Sequence, residues 1–170
     1  MTRLALLALA ACLLSAGCGG GGDLTVAPPH FALAAGWHVG NTPAQTCVGV
    51  SRKTCVQAEA WASTVHYRDC ANCSPPHKTL DALPPSGIVI QVTNAREVPP
   101  YGTLGDWPPR LRASQAVGPF EGEPPRFSVI QLYQRSRSGV DHSLFVWFGR
   151  GHPTAQQLAR ANAELRTVSP

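Results

Sequence analysis

The sequence predicts an α+β fold, a small and mainly antiparallel sheet of about four to five strands with a C-terminal helix packed on one face. Apolar runs bounded by turn residues indicate strands at 87–93, 127–133 and 144–148. After Pro153, apolar residues recur at helical spacing up to about Thr167, which indicates an amphipathic helix. Strands that precede a final helix are typical of an α+β domain.

The elements follow from local signals. Residues 87–93 are apolar on both faces, as in a central buried strand, and a polar hairpin loop at 135–141 joins the two strands after it. The other predicted elements are a short strand at 36–39, a strand at 58–65 and a helical turn at 79–83 that ends before Pro84-Pro85. The inward face of the final helix is predicted to be Ala155, Leu158, Ala161, Leu165 and Val168.

A long segment at 95–125 is rich in proline and has no clear period. Segments of this length in a compact domain either carry function or pack over a sheet face. Its aromatic residues Tyr101, Trp107 and Phe120 are the candidates for a binding loop.

The first residues have the order of a secretory signal. A positive charge at Arg3 precedes an apolar run from Leu4 to Leu14, and small residues lead to Cys18. As a helix the run would span about 16 Å, whereas a bilayer core needs about 30 Å, so we expect it to be removed. Its end, Leu14-Ser15-Ala16-Gly17-Cys18, resembles the lipobox of bacterial lipoproteins.

This resemblance implies that Cys18 receives a diacylglyceryl group and begins the mature chain. The glycines after it form a flexible tether, and several acyl chains would hold the protein firmly to the cell membrane. We therefore expect a signal peptide at 1–17, a lipidated tether at 18–29 and one extracytoplasmic domain at 30–170. The alternatives are an unmodified Cys18 and cleavage before Cys12.

Four further cysteines lie in the predicted domain: Cys47, Cys55, Cys70 and Cys73. An oxidising compartment makes disulfides the expected state. A predicted strand at 57–66 would hold Cys55 and Cys70 about 30 Å apart, and of the three pairings this favours Cys47 with Cys55 and Cys70 with Cys73. Such short loops would contribute about 2 to 3 kcal/mol each.

Two other interpretations of these cysteines are weaker. A zinc site would need the C-x2-4-C spacing, which Cys47 and Cys55 lack. A redox pair formed by Cys70 and Cys73 would need a helix after its first cysteine, and Ser74-Pro75-Pro76 forbids that helix. We expect no metal and no cofactor.

The formal charge is +4 at pH 7, and the arginines are scattered along the chain. A nucleic-acid face needs clustered basic residues, so no nucleic-acid partner is expected. Arg110 and Arg112, with Arg126, Arg135 and Arg137, form either a basic patch that rests on anionic envelope polymers or lipids, or an ordinary solvated surface.

The signatures of common hydrolases are absent from the sequence, which has no G-x-S-x-G and no H-E-x-x-H. The remaining candidates for acid-base chemistry are Glu97, His38 and the adjacent Asp141 and His142, since a carboxylate can orient an imidazole. Adjacent residues of a strand point to opposite faces, which weakens the last pair.

Five distinct short motifs are spread through the predicted domain: Gly36-Trp37-His38, Ala60-Trp61-Ala62-Ser63, Gly87-Ile88-Val89-Ile90, Phe148-Gly149-Arg150 and His152-Pro153-Thr154. Together they resemble uncharacterised secreted proteins of GC-rich bacteria, a resemblance that implies no activity. Two functions are therefore expected as alternatives. One is a non-enzymatic envelope lipoprotein whose domain binds a partner protein or wall polymer, and the other is a small envelope hydrolase with a His and carboxylate site.

Overall fold

The computed structural model describes residues 26–41, 45–46, 56–69, 76–95, 103–104, 107–121, 123, 125–135 and 140–169. The signal, Cys18 and the four cysteines of the domain lie outside these residues, so their predicted lipidation and disulfides stay predictions. None of the helices within the described ranges combines the length and apolar character needed to cross a membrane.

The described residues form nine strands, two α-helices and a 3-10 helix at Ala113–Gln115. The strands are β1 (His30–Phe31), β2 (His38–Asn41), β3 (Gln45–Thr46), β4 (Val56–Ser63), β5 (Ile88–Ala95), β6 (Thr103–Leu104), β7 (Ser128–Arg135), β8 (Asp141–Phe148) and β9 (Val168–Ser169). The α-helices are α1 (His77–Asp81) and α2 (Ala155–Leu165).

One sheet dominates the fold. Its strand order is β2-β4-β5-β8-β7-β6, with β3 paired to β4, and β1 pairs with β9 in a second, two-stranded sheet. The neighbours from β2 to β7 are antiparallel, whereas the short β6 runs parallel to β7. The predicted α+β class, with a mainly antiparallel sheet and a C-terminal helix, is confirmed.

The central position of β5 follows from its composition. Each of its eight residues is buried, and it pairs with β4 on one side and β8 on the other. Because side chains alternate along a strand, β5 supplies both faces of the sheet. Ile88, Ile90 and Val92 lie on the face that α2 covers, which we call the α2 face. Val89 lies on the other face, which we call the opposite face, among residues of α1 and the loops around it.

Helix α2 is fixed to the α2 face by polar contacts as well as by its apolar residues Ala161 and Leu165. Thr154 caps the helix, because its hydroxyl accepts from the backbone N–H of Gln157 at 3.1 Å. The amide of Gln157 donates to the carbonyls of Pro85 and Gly87, each at 3.1 Å. The sequence pattern placed Ala155 on the inward face, but it is exposed.

The described part of the proline-rich segment packs on the fold. Leu111 is buried in the core of the α2 face, and its backbone N–H donates to the Asn162 side chain of α2 at 2.7 Å. The Asn162 amide donates back to the carbonyl of Leu111 at 3.2 Å. This part of the segment is therefore held against α2 as a covering layer.

Glu164 of α2 is fully buried. Its Oε2 accepts from the backbone N–H of Ala34 at 3.3 Å. Burial raises the pKa of this carboxyl above its ordinary value of 4.5, and hydrogen bonds from Ala34 and Thr167 oppose the rise. Folding therefore raises the pH at which this carboxyl loses its proton.

We expect Glu164→Gln to stabilise the domain at about pH 8 and to change little at about pH 4. The folded carboxyl keeps its proton to a higher pH than the unfolded one. Wild-type stability is therefore full below the unfolded pKa and is lost as the pH rises towards the folded pKa. The neutral amide escapes this loss and can still accept from Ala34. Urea unfolding at both pH values tests this, with the exposed Glu121→Gln as control; an equal gain at both would contradict it.

Candidate functional site

Three aromatic side chains meet on the opposite face of the sheet. Phe145 of β8 is half-buried, and its ring meets those of Phe120 and Tyr133 edge-on, with centroid distances of 6.0 and 6.4 Å. Phe120 and Tyr133 are each 37% exposed. We call these three residues the aromatic platform. In the register between β7 and β8, Phe145 pairs with Gln131 and Tyr133 pairs with Ser143. These two pairs are two residues apart along each strand, so strand alternation puts Phe145 and Tyr133 on the same face.

A row of buried rings continues from the platform into the core. The ring of Trp147 stacks on Phe145 at 5.6 Å and on Trp61 at 5.8 Å. Trp61 in turn meets Tyr67 at 5.7 Å. Both indoles are almost fully buried. The platform is therefore the exposed end of a packed aromatic row. Stacking on Trp147 leaves the ring of Phe145 little freedom to move.

Glu123 joins this row to the loop that carries Phe120. Its Oε1 accepts from the indole N–H of Trp147 at 2.8 Å, and its Oε2 accepts from the backbone N–H of Phe120 at 3.0 Å. Glu123 as a whole residue is 8% exposed. A buried carboxylate needs such donors, so both bonds stabilise it and together hold Phe120 against the sheet.

Polar side chains border the platform. In the register, Gln91 of β5 and Gln131 of β7 stand on either side of Phe145. The amide of Gln91 donates to Oε2 of Glu59 at 2.9 Å, and the amide of Gln131 donates to the hydroxyl of Tyr133. Exposed aromatic rings are thus combined with amide, hydroxyl and carboxylate groups on one sheet face.

Tyr67 lies at the far end of the aromatic row. Burial raises the pKa of its hydroxyl above the ordinary 10.0, and the negative charges of Asp69 and Glu59 raise it further. Its ring packs on Gly40, where a Cβ would come within 2.8 Å of it. The hydroxyl therefore stays protonated, and a glycine makes room for the ring.

The histidine and carboxylate candidates are not brought together among the described residues. His142 lies on the α2 face, where its Nδ1 is 2.8 Å from Oδ1 of Asn94. His38 lies on the opposite face beside His66, with ring centroids 4.0 Å apart. Three strand positions across the sheet separate β2 from β8, about 14 Å at about 4.8 Å each. Glu97 lies outside the described residues.

His142 has the environment of a structural side chain. It is 6% exposed, and its ring meets that of Trp107 at 5.2 Å. Burial lowers its pKa below the ordinary 6.5, an effect that Asp141 partly opposes. The neutral ring bonded to Asn94 is thus the favoured state. Asp141 points to the other face, as strand alternation predicts.

The aromatic residues of the predicted binding loop do not lie together in the structure. Phe120 belongs to the platform. Trp107 is half-buried against the core of the α2 face, and its indole N–H donates to the carbonyl of Val168 at 3.3 Å. Tyr101 lies outside the described residues. Sequence reasoning missed Tyr133, Phe145 and Glu123, although alternation along 127–133 and 144–148 places the first two on one face.

The predicted basic patch is divided by the fold. Arg110 borders α2, whereas the guanidinium of Arg126 donates to the carbonyl of Asp81 at 2.9 Å at the end of α1. Arg137 lies outside the described residues. Arg110 and Arg126 therefore belong to different surfaces.

Within the described ranges, no group of three or more His, Cys, Asp or Glu residues is placed to hold a metal ion. The aromatic platform combines exposed rings with polar side chains, and this combination suits noncovalent binding. Comparison with family models, with curated proteins and with solved structures finds no match to this chain.

Proposed function

We propose that this chain is an extracytoplasmic lipoprotein, anchored through Cys18, whose domain binds the glycan strands of the cell wall on the aromatic platform. The observation that carries the proposal is the pair of exposed rings, Phe120 and Tyr133, which each meet Phe145 edge-on and are bordered by polar side chains. The lipobox supports the location, and the platform supports the ligand class.

The chemistry of the platform fits a sugar chain. The face of an aromatic ring carries partial negative charge, which attracts the C–H groups on the flat side of a pyranose. Hydroxyl and acetamido groups need hydrogen-bond partners, and the amide of Gln131 and the hydroxyl of Tyr133 provide such groups beside Phe145. Buried rings beneath Phe145 keep the platform in place before binding, which reduces the entropy lost on binding.

Two other ligand classes fit less well. A stable protein interface needs about 800 Å² from each partner, and the platform offers only two strongly exposed rings. A peptide added as a strand would need the free backbone groups of a sheet edge, whereas β8, which carries Phe145, is paired on both sides. Hydrolysis has no assembled His and carboxylate pair among the described residues to support it.

The test is cosedimentation of the purified protein with peptidoglycan sacculi freed of their attached anionic polymers. We expect binding, competition by a soluble hexamer of β-1,4-linked N-acetylglucosamine, and about tenfold weaker binding for each of Phe120→Ala and Tyr133→Ala. The reason is that truncation of an exposed aromatic anchor commonly costs more than about 1 kcal/mol of binding free energy.

Val39→Ala provides the matched control. Val39 is 38% exposed, close to the value for the platform rings, but it lies on the α2 face at the level of Ala62. This variant should bind sacculi like the wild type. Absence of wild-type binding, or equal losses in all three variants, would rule out the platform as a glycan site.

A further inference from the structure

The surface around α2 is basic. Arg160 lies in the helix and Arg166 directly follows its last residue, while Arg150 and Arg110 come from loops next to it. Arg150 and Arg160 share a cavity of about 350 Å³ with Ser86, Thr154 and Gln156. Arg110 and Arg166 share a second cavity of about 630 Å³ with Asn162. We call these four arginines the basic surface.

The described residues place no carboxylate against this charge. The acidic residue of α2 is Glu164, which is fully buried and accepts from the backbone N–H of Ala34. Other carboxylates are engaged on the opposite side of the sheet, where Glu59 accepts from Gln91 and Glu123 from Trp147. The basic surface is therefore uncompensated, and it lies on the other side of the sheet from the platform.

Contacts within the fold hold Arg160 and the segments that carry Arg150 and Arg110. The guanidinium of Arg160 lies over the ring of Trp37 at 5.9 Å. The loop of Arg150 is fixed because its carbonyl accepts from the hydroxyl of Ser128 at 2.8 Å. Asn162 holds the segment that carries Arg110 to α2. Guanidinium groups bind phosphate through paired hydrogen bonds, so two such pairs suit phosphate-bearing headgroups.

The chain enters the fold on this same side. The carbonyl of Ala27 accepts from Asn94, a residue of the α2 face, at 3.1 Å. Strand β1 then pairs with β9, which directly follows α2. Residues 18–25 connect this entry to Cys18 and span at most about 29 Å when fully extended. An acylated Cys18 would therefore keep the basic surface near the membrane.

We propose that the basic surface docks on anionic phospholipid headgroups of the membrane that holds Cys18, so that the aromatic platform faces away from the bilayer. The inference goes beyond glycan binding, because it uses different residues on the opposite side of the sheet. Arginines near an anionic leaflet each strengthen attachment, by about fivefold per residue, and the effect is screened by salt.

Vesicle cosedimentation tests this with the chain from residue 18 to 170 carrying Cys18→Ser, which keeps every described residue but cannot be acylated. We expect it to bind vesicles that contain phosphatidylglycerol, to release with added salt, and not to bind pure phosphatidylcholine. Arg150→Gln with Arg160→Gln should weaken binding about 25-fold, as should Arg110→Gln with Arg166→Gln.

The control is Arg68→Gln with Lys78→Gln, which removes the same charge from exposed residues beside α1. It should bind nearly as the wild type does. Equal weakening in this control would show that net charge alone acts and would overturn the proposal. So would binding to soluble polyphosphate without binding to phosphatidylglycerol vesicles. Because Arg110 and Arg166 line a different cavity from Arg160, their double variant tests the surface even if loss of the Arg160 contact with Trp37 disturbs the fold.

Discussion

Gly149→Ala is expected to destabilise the domain severely, by about 3 kcal/mol or more. A Cβ at this position would lie 1.9 Å from the carbonyl oxygen of Pro84 and 2.8 Å from its carbonyl carbon. Both are backbone atoms, so no side-chain rotation can relieve the contact. Gly149 also donates to the carbonyl of Gly87 at 3.1 Å, which ties the end of β8 to the start of β5. Relief of the clash would have to move the Pro84–Pro85 backbone, whose Pro84 carbonyl also accepts from the backbone N–H of Gly87 at 2.8 Å.

Alanine substitutions at two other glycines should cost less stability than the one at Gly149. A Cβ at Gly151 would meet nothing within 4 Å, so Gly151→Ala should change the free energy of unfolding by less than about 0.5 kcal/mol. A Cβ at Gly87 would meet the side chain of Leu83 at 2.5 Å, and that side chain can move in part. Urea unfolding should therefore rank the three losses as Gly149, then Gly87, then Gly151. Equal losses at Gly149 and Gly151 would contradict the structure.

The long elements could be predicted from sequence because their patterns are local. The run 87–93 is apolar on both faces, which suits a strand covered on both sides, and all of it except Gly87 lies within β5. The predicted strand at 58–65 and the helix after Pro153 correspond to β4 and α2. Two-residue strands such as β1 and β9 carry no period, since they form only when distant segments meet. They could not be predicted.

The candidate site was harder to predict because tertiary contacts create it. Phe120 comes from the proline-rich segment, whereas Tyr133 and Phe145 come from two strands, and only the strand register brings the rings together. Trp107 looks like an equally good surface anchor in the sequence, but a carbonyl near the end of the chain accepts its indole N–H. Which aromatic residue stays exposed depends on this long-range contact, which composition does not encode.

The second large effect on stability is expected at the two stacked indoles of the aromatic row. Trp61 and Trp147 are 1% and 2% exposed, and their rings stack at 5.8 Å. Trp147 donates to Glu123, whereas the indole N–H of Trp61 is buried without an acceptor among the described residues. The two side chains thus have the same size and burial but opposite polar environments.

We expect Trp147→Phe to cost about 2 to 4 kcal/mol more stability than Trp61→Phe. Both variants lose the same ring atoms, so the cavity terms largely cancel in the comparison. Trp147→Phe leaves the buried Glu123 carboxylate without one of its two donors, while Trp61→Phe removes an N–H that is unsatisfied in the folded state. Urea unfolding of both variants measures the difference.

Binding provides a second measurement on the same pair. Glu123 also accepts from the backbone of Phe120, so a carboxylate released by Trp147→Phe should let that loop move. Sacculus binding by the folded variant should then weaken, whereas Trp61→Phe leaves the contact between Glu123 and Phe120 in place and should bind as the wild type does. Equal losses of stability in the two variants would show that ring volume, and not the hydrogen bond to Glu123, determines the contribution of Trp147.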